Sequence, residues 1–303
     1  MIYDCFPFLN EIEILELRLH TLSDVVDKFV IVEANRTFSG NPKEYFLPRY
    51  WSSLAEFRDK IIYVQVDDMP ESQNPWTRAF HQKNAIMRGL VECADKDIIL
   101  VSDLDEIPRP DAIRQLFEDD HCRDLLHSYP IAFAQRNFYY FVNCLDPRTW
   151  QGTVAIKFNN LRYPQNLRNL RDRLPRLRFG GWHFSYIGGP ERIIYKLNSY
   201  CNTMNNTALN NSPEYILDCI HRGSSAIQVG EKLKQYIFVD VDASFPMYMR
   251  TLIEKYPYVF FDAECKTLPV KVYPAECAGI LSNKPRWCWY LLKQFLKGKC
   301  LAT

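Results

Sequence analysis

The feature that most limits what this chain can fold into is a series of short, nearly uninterrupted apolar segments in its first third. They are "MIYDCFPF" (1–8), "KFVIVEA" (28–34), "KIIYVQVDD" (60–68) and "DIILVS" (97–102). A strand with one face in water alternates apolar and polar residues, whereas a strand apolar on both faces needs cover on both sides. These segments therefore predict buried strands of a parallel sheet.

Helical patterns separate these strands. "NEIEILELRLHTL" (10–22) places apolar residues on one helical face, residues 74–94 form a second helical pattern with Pro75 near its start, and Pro110 and Asp111 open a third. Strand and helix alternation predicts an α/β fold with a Rossmann-like, mostly parallel central sheet flanked by helices. Because GxGxxG and GxxxxGK[ST] motifs are missing, neither a dinucleotide site nor a P-loop is expected.

The second half of the chain has a different pattern. Residues 129–158 predict two longer, antiparallel strands, and an arginine-rich stretch at 162–178 predicts a solvated loop, with phosphate binding as its alternative. "FGGWHFSYIGG" predicts a strand or loop followed by a helix from about Glu191, and residues 212–223 predict a helix capped by Ser212. We expect a single domain over 1–303, with residues 1–125, 126–260 and a C-terminal extension (261–303) as its parts.

Composition excludes some classes of protein. Lys and Arg number 37 against 36 Asp and Glu, and this net charge of +1 argues against nucleic-acid binding. The ten cysteines form no CxxC pair, so a zinc ribbon is not expected. We expect them to be reduced cysteines of the core. No signal peptide or long apolar span is evident, which predicts a cytoplasmic protein. Residues 286–299 predict an amphipathic helix that docks on the protein itself, with peripheral membrane contact as the alternative.

The stretch "DIILVSDLDEIPRP" (97–110) carries the strongest chemical signal, because an apolar strand runs directly into Asp103, Asp105 and Glu106. Side chains at i and i+2 of a strand point the same way, and open parallel sheets bind ligands at this end of their strands. Crowded carboxylates repel one another unless a cation lies between them. The pattern predicts Mn²⁺ or Mg²⁺ holding a nucleotide diphosphate; an exposed acidic turn that caps the next helix is the alternative.

Several longer segments resemble glycosyltransferase family 17. They are "YDCFPFLNEIEILELRL", "VVDKFVIVEANRTFSG", "DIILVSDLDEIP" and "GGWHFSYIGG", and the similarity covers nearly all of residues 2–240 in the same order. The resemblance implies a GT-A fold, a nucleotide-sugar donor that is UDP-linked, a divalent metal and inversion at the anomeric carbon. It also implies that 1–303 is one catalytic domain, with 1–125 as its nucleotide-sugar-binding half and 126–260 as its acceptor-side half. Animal members carry an N-terminal membrane anchor; its absence from this sequence supports the expected cytoplasmic location.

The resemblance also implies roles for individual residues. The family's acidic metal motif would fall on Asp103, Asp105 and Glu106, with Asp103 and Asp105 as metal ligands and Asp105 also catalytic. Glu106 would support the metal from behind or bind the donor sugar. His183 would be a third metal ligand or a phosphate contact, with a core or surface histidine as the alternative. Donor binding would fall on Glu33, Asn35, Thr37, Ser39, Arg78, Gln82, Asn84, Ser102, Asp103 and Trp182; Arg136 in "AQRNFYY" is a further candidate because of its charge alone. Arg136 is expected to bind the negatively charged pyrophosphate, with a structural salt bridge as the alternative. Trp182 is expected either to stack on a sugar or to pack in the protein.

The predicted reaction moves a sugar, with N-acetylglucosamine as first choice, to a hydroxyl of an oligosaccharide, glycolipid or glycoprotein acceptor. A carboxylate must take the proton of that hydroxyl, and Glu191 is the first candidate, with Asp218 and Asp172 as others. Alternatives remain: transfer from another sugar nucleotide to a viral or bacterial surface glycan, a sugar nucleotidyltransferase, or a non-catalytic carbohydrate-binding protein. The last would not need clustered carboxylates at a strand end.

Overall fold

A computed structural model describes residues 1–226, 236–261 and 280–281. The described strands are β1 (Ile2–Phe8), β2 (Lys28–Ala34), β3 (Ile61–Val66), β4 (Ile98–Val101), β5 (Glu106–Pro108), β6 (Ile131–Tyr139), β7 (Cys144–Lys157), β8 (Arg176–Ser185), β9 (Ile237–Phe238) and β10 (Ile280–Leu281). The described α-helices are α1 (Ile12–Leu22), α2 (Pro75–Asn84), α3 (Pro110–Glu118), α4 (Asp120–Ser128), α5 (Pro164–Asn169), α6 (Pro190–Ser199), α7 (Pro213–His221) and α8 (Met249–Lys255).

The first four strands form a parallel sheet in the order β3-β2-β1-β4. In β2, Phe29 and Ile31 belong to one buried apolar cluster while Val30 and Val32 belong to another. Successive side chains of a strand point to opposite faces, so each face of this strand meets its own core. The predicted two-sided burial is confirmed for β1, β2 and β4, whereas β3 at the edge of the sheet is only partly buried.

Beyond β4 the sheet becomes mixed, so the predicted mostly parallel sheet is correct only for the first half. Strand β7 runs antiparallel to both β4 and β6, as expected for residues 129–158, but β6 and β8 are parallel to each other. Only residues 140–143 separate β6 from β7, and a connection this short can join antiparallel neighbours but not parallel ones.

The arginine-rich stretch at 162–178 is not a loop throughout. It contains α5, a 3₁₀ turn at 171–173 and the beginning of β8. Arg168 is among the largest fully buried side chains of the described residues, which contradicts the prediction of a solvated segment. Within the described part of the chain, no helix is both long and apolar enough to cross a membrane. The predicted amphipathic segment 286–299 lies outside the described residues.

A glycine allows the close pairing that delivers β8 to the acidic turn. Gly181 has φ of +145°, and a Cβ built on it would lie 2.1 Å from the carbonyl oxygen of Ile107. Only glycine fits so near another backbone at such a φ. Because β5 and β8 pair there, His183 lies opposite Glu106 in the antiparallel register. The "GGWHF" segment thus brings a histidine beside the acidic motif.

Candidate active site

A pocket of about 300 Å³ opens at the carboxyl end of the parallel strands. Its walls come from the ends of β1 and β4, the turn at 36–38 after β2, the end of β8, and α6 with the segment that follows it. Parallel sheets of this kind bind their ligands at this edge, because the strand order there leaves a crevice. Asp103 and Asp105 are among its lining residues, so the acidic motif lies beside this crevice.

A fully buried arginine on α1 fixes the backbone of the acidic turn. Arg18 donates to both carboxylate oxygens of Asp4 at 2.6 and 2.7 Å, and to the carbonyl oxygens of Asp103, Leu104 and Glu106 at 2.9–3.0 Å. A charged, planar donor that joins this many acceptors holds the turn in one shape. This role of Arg18 was not predicted from the sequence; the available signal was Asp4, the one charged residue within the otherwise apolar β1, which needs a cation when it is buried.

Glu106 is a structural member of the acidic motif. Its Oε1 accepts from Arg168 at 2.6 Å and from the indole of Trp150 at 2.7 Å, and its Oε2 accepts from the Asp103 N–H at 2.8 Å. Burial opposes ionisation of this carboxyl, but the charge of Arg168 outweighs it, so the pKa of Glu106 lies below its usual range. Glu106 is therefore a charged anchor inside the protein, with both oxygens already bonded.

Asp103 lies at the pocket wall between two cations. Lys83 contacts its Oδ1, and Arg168 lies 3.3 Å from its Oδ2. Burial opposes ionisation of Asp103 as well, and these two positive charges nevertheless hold its pKa well below the usual range. Its side chain remains 40% exposed, so a ligand in the pocket can reach it.

Asp105 and His183 face each other at the pocket wall. Oδ1 of Asp105 is 3.7 Å from Nε2 of His183, and Oδ2 accepts from Lys196 at 2.8 Å. Nδ1 of His183 lies 2.7 Å from Oδ1 of Asn137, whose amide nitrogen donates to Asp146. That second bond assigns the amide orientation, so Nδ1 carries the hydrogen and Nε2 presents a lone pair towards Asp105.

The imidazole of His183 is held neutral and rigid. Burial lowers its pKa from the ordinary value of 6.5 despite the nearby carboxylates, and its ring stacks on Trp150 with centroids 4.6 Å apart. A neutral imidazole whose other nitrogen is fixed by a hydrogen bond is the usual form of a metal-ligating histidine.

The donor chemistry at this point fits a hard divalent cation. Carboxylate oxygens of Asp103 and Asp105 and the Nε2 of His183 line one pocket. The lone pair on Nε2 of His183 faces Oδ1 of Asp105, with no proton between them. Among the described residues, no three His, Cys, Asp or Glu side chains converge into a ready-made metal site. The ammonium of Lys196 pairs with Asp105, so this carboxylate already has a positive charge beside it.

Glu11 is a pocket carboxylate that sequence analysis missed. It follows β1, lines the pocket and lies 3.3 Å from Lys196, which therefore bridges Glu11 and Asp105. Burial opposes ionisation, but Lys196 and local backbone N–H groups lower the pKa of Glu11 below its ordinary value. Position after a strand of the parallel sheet was the signal for it, as it was for Asp103.

Of the residues predicted to bind the donor, Thr37, Gln82 and Asp103 line the pocket, whereas Glu33 does not. The buried carboxylate of Glu33 instead accepts from Lys43 at 2.7 Å, from the backbone N–H groups of Phe46 and Leu47, and from the hydroxyl of Tyr63. These bonds occupy both oxygens. Glu33 is thus a positioning residue that orients Lys43, which does line the pocket.

Other predicted donor residues shape the pocket from behind, and none is among its lining residues. Arg78 donates to the carbonyl oxygen of Phe38 at 2.7 Å, and Ser39 donates to that of Asn198 at 2.7 Å. Asn84 accepts from the Gln165 N–H, while Ser102 accepts from Arg18. Asn35 has a buried side-chain oxygen without a partner among the described residues.

Arg136 and Trp182, two further residues predicted to bind the donor, are not in the pocket lining. Both side chains bind Ser244 instead. Arg136 donates to the hydroxyl of Ser244 at 2.6 Å, and the indole of Trp182 donates to its carbonyl oxygen at 3.0 Å. Trp182 is 3% exposed. The packing alternative for Trp182 is therefore the correct one, and Arg136 forms a structural contact.

The predicted proton acceptors are not brought to the pocket. Glu191 lies exposed in the first turn of α6, and Asp218 pairs with Arg222 on α7 at 2.8 Å. Asp172 is exposed in a 3₁₀ turn. Helix α6 reaches the pocket through Lys196 rather than through Glu191, because its N-terminal turn lies outside the pocket lining.

Comparisons with known proteins agree with these observations. The family model of glycosyltransferase family 17 matches residues 1–247. The chain is 28% identical over 228 residues to the human β-1,4-mannosyl-glycoprotein 4-β-N-acetylglucosaminyltransferase, a match that covers 64% of this chain and 42% of the human protein. The rat protein of the same name is also 28% identical, with 41% of it covered. The chain thus spans about two fifths of the length of these relatives.

Among solved structures, the chain is similar to 2-C-methyl-D-erythritol 4-phosphate cytidylyltransferase from Francisella tularensis. The TM-score is 0.32 and the sequence identity 16%, and the match covers 57% of this chain and 78% of that one. This likeness is too slight to indicate a common function.

Proposed function

The chain belongs to glycosyltransferase family 17 and is therefore a transferase. We propose that it transfers N-acetylglucosamine from a UDP-linked donor to a hydroxyl of a glycoprotein glycan. The sugar and the acceptor class are those in the names of its relatives. We further propose a GT-A fold, a divalent metal, Mn²⁺ or Mg²⁺, and inversion at the anomeric carbon. The parallel order β3-β2-β1-β4, with the acidic motif directly after β4, supports the fold assignment.

The observation that carries this proposal is the facing pair of Asp105 and His183 on the wall of the pocket. Asp105, His183 and the exposed edge of Asp103 would hold the metal, which when bound supplies positive charge to the departing diphosphate. A sugar nucleotide needs this charge at the strand edge, and a pure carbohydrate-binding protein does not.

The protein's own cations support the same chemistry. Lys43 lines the pocket where Glu33 orients it, and Arg36 and Lys196 line other parts of the wall. Preorganised positive groups stabilise charge that develops on a leaving phosphate, since they need no reorientation during the reaction. These side chains would bind and orient the diphosphate.

Glu11 is the proposed proton acceptor in place of Glu191 and Asp218. It is a pocket carboxylate outside the acidic motif, and Lys196 links it to Asp105. The oxygen of the acceptor hydroxyl would attack the anomeric carbon while its proton passes to Glu11. The bond to the diphosphate would break with its electron pair on the leaving oxygen. Because the attack comes from the opposite face of the anomeric carbon, its configuration is inverted.

A panel of nucleotide sugars tests the proposal. The purified protein is incubated with each donor and a neutral N-glycan, with Mn²⁺ or with excess chelator, and products are identified by mass spectrometry and by the NMR coupling at the new anomeric centre. We expect transfer from UDP-N-acetylglucosamine only with metal, and loss of transfer in Asp105→Asn. Release of pyrophosphate from a nucleoside triphosphate and a sugar phosphate would point to a nucleotidyltransferase instead, and transfer in chelator would contradict the metal.

A further inference from the structure

We propose that an aromatic and amide surface at the mouth of the pocket is the subsite that holds the acceptor glycan. This surface, the acceptor platform, consists of Trp76, Phe80, Tyr200, Asn202 and Asn205. The inference rests on the proposed function, since it names the part of the same site that receives the neutral sugar chain. Two independent observations support it, one from the aromatic rings and one from the amides.

The aromatic rings are grouped, and two of the three are exposed. Trp76 and Phe80 lie one turn apart on α2 and are 43% and 37% exposed. The ring centroids of Trp76 are 6.1 Å from Phe80 and 6.4 Å from Tyr200, and Tyr200 lines the pocket. The faces of aromatic rings carry partial negative charge and attract the C–H groups on the apolar face of a sugar ring. Grouped exposed aromatics of this kind mark a binding surface.

The amides beside the rings are unused. Asn202 and Asn205 line the pocket, and their side chains form no hydrogen bond with any described residue. Neighbouring asparagines behave differently, since Asn206 donates to Asn198 at 3.2 Å and Asn211 donates to Asn206 at 2.6 Å. An amide presents two donors and an acceptor, a combination that suits adjacent sugar hydroxyls.

The platform is attached to the donor side of the pocket. Ser199 accepts from the backbone N–H of Phe38 at 3.0 Å, and Asn198 accepts from the hydroxyl of Ser39 at 2.7 Å. These bonds join the end of α6 to the turn after β2, so the segment that carries Tyr200, Asn202 and Asn205 has a fixed position relative to the pocket.

Charge distinguishes the platform from the rest of the pocket. Its five side chains are uncharged, whereas the carboxylates and cations of the pocket lining follow β1, β2 and β4 or lie on α6. A neutral ligand with apolar ring faces and many hydroxyls matches the uncharged platform, and a diphosphate matches the charged part of the pocket. The two ligands of a sugar transfer would thus occupy adjoining parts of one pocket.

Steady-state kinetics with the Trp76→Ala variant tests this inference. We expect the acceptor KM to rise about ten-fold, while the donor KM and the slow hydrolysis of donor without acceptor stay unchanged. Phe117→Ala is the matched control, because Phe117 is 41% exposed on α3 and is not part of the pocket lining. An unchanged acceptor KM in Trp76→Ala, or an equal rise in donor KM, would overturn the platform.

Saturation-transfer NMR separates failure of the platform from failure of the proposed function. If the wild-type protein turned over no nucleotide sugar, the function would fail, yet a neutral mannose-containing N-glycan should still bind the wild type and bind Trp76→Ala and Asn202→Ala more weakly. Absence of glycan binding to the wild type, or equal binding to all of these proteins and Phe117→Ala, would overturn the platform itself.

Discussion

Replacing Arg168 with methionine is expected to destabilise the protein by about 3–5 kcal/mol at neutral pH, the usual cost of removing one member of a buried ion pair. The side chains of Arg168 and Glu106 are 2% and 1% exposed, and their atoms meet at 2.6 Å. Methionine fills similar space but leaves the carboxylate of Glu106 buried without its cation. Since a domain is stable by only about 5–15 kcal/mol, this loss is large but measurable.

The destabilisation should shrink in acid, and the sign follows from the pKa of Glu106. In the wild type this pKa is lowered, so the stability contributed by Glu106 is present above its unfolded value of about 4.3 and is lost as pH falls through the folded value. In Arg168→Met the main lowering charge is gone and burial raises the pKa. As pH falls, protonation of Glu106 removes the unpaired buried charge of the variant at a higher pH than it weakens the wild type. The free energies of unfolding of the two proteins therefore approach each other.

Urea unfolding followed by tryptophan fluorescence at pH 7.5 and pH 5 measures both effects. The double variant Arg168→Met with Glu106→Gln should recover part of the loss, because no uncompensated charge remains. Arg88→Met is the matched control: Arg88 pairs with Asp68, but their side chains are 41% and 52% exposed, so a loss below about 1 kcal/mol is expected. A similar small loss in Arg168→Met, or no dependence on pH, would refute the reasoning.

Three further predictions concern the pocket. Lys196→Met should raise Mn²⁺ affinity roughly ten-fold, measured by electron paramagnetic resonance, because it frees the oxygen of Asp105 that lies 2.8 Å from the ammonium; unchanged or weaker affinity would contradict this. Because burial lowers the pKa of His183, Mn²⁺ affinity should stay constant from pH 8 down to about 6.5 and fall only in more acid solution; a fall that begins above pH 7 would be incompatible. Glu11→Gln should reduce kcat about 100-fold or more with donor KM unchanged in steady-state assays, and a normal kcat would remove Glu11 as proton acceptor.

The parts of the fold that follow from local sequence were predictable. The bounds of β2 match the apolar run at 28–34, and Ser212 caps α7 as expected, because burial on both faces and capping leave a clear residue pattern. The parallel pairing of β6 with β8 was not predictable in this way. It joins segments about 45 residues apart (Gln135 pairs with Gly181), and residue patterns do not report such pairings.

The site was predictable where strand ends dictate it and not where packing decides. Asp103, Asp105 and His183 were predicted from their places in sequence motifs, and they line the pocket. Glu33 also ends a strand, yet its carboxylate turns inward to Lys43. Likewise, nothing local distinguishes Arg168 from the other arginines of 162–178; only its burial against Glu106 does.

Calorimetric titration of UDP into the protein tests the central claim most directly, namely that Asp105 and its neighbours hold a metal for the diphosphate. The wild type and Asp111→Asn are compared with Asp105→Asn, since Asp111 is an exposed carboxylate that pairs with Arg114 on α3. We predict UDP binding by the wild type and the control with Mn²⁺ but not in chelator, and none by Asp105→Asn. Equal UDP binding by Asp105→Asn, or by the wild type in chelator, would contradict the claim.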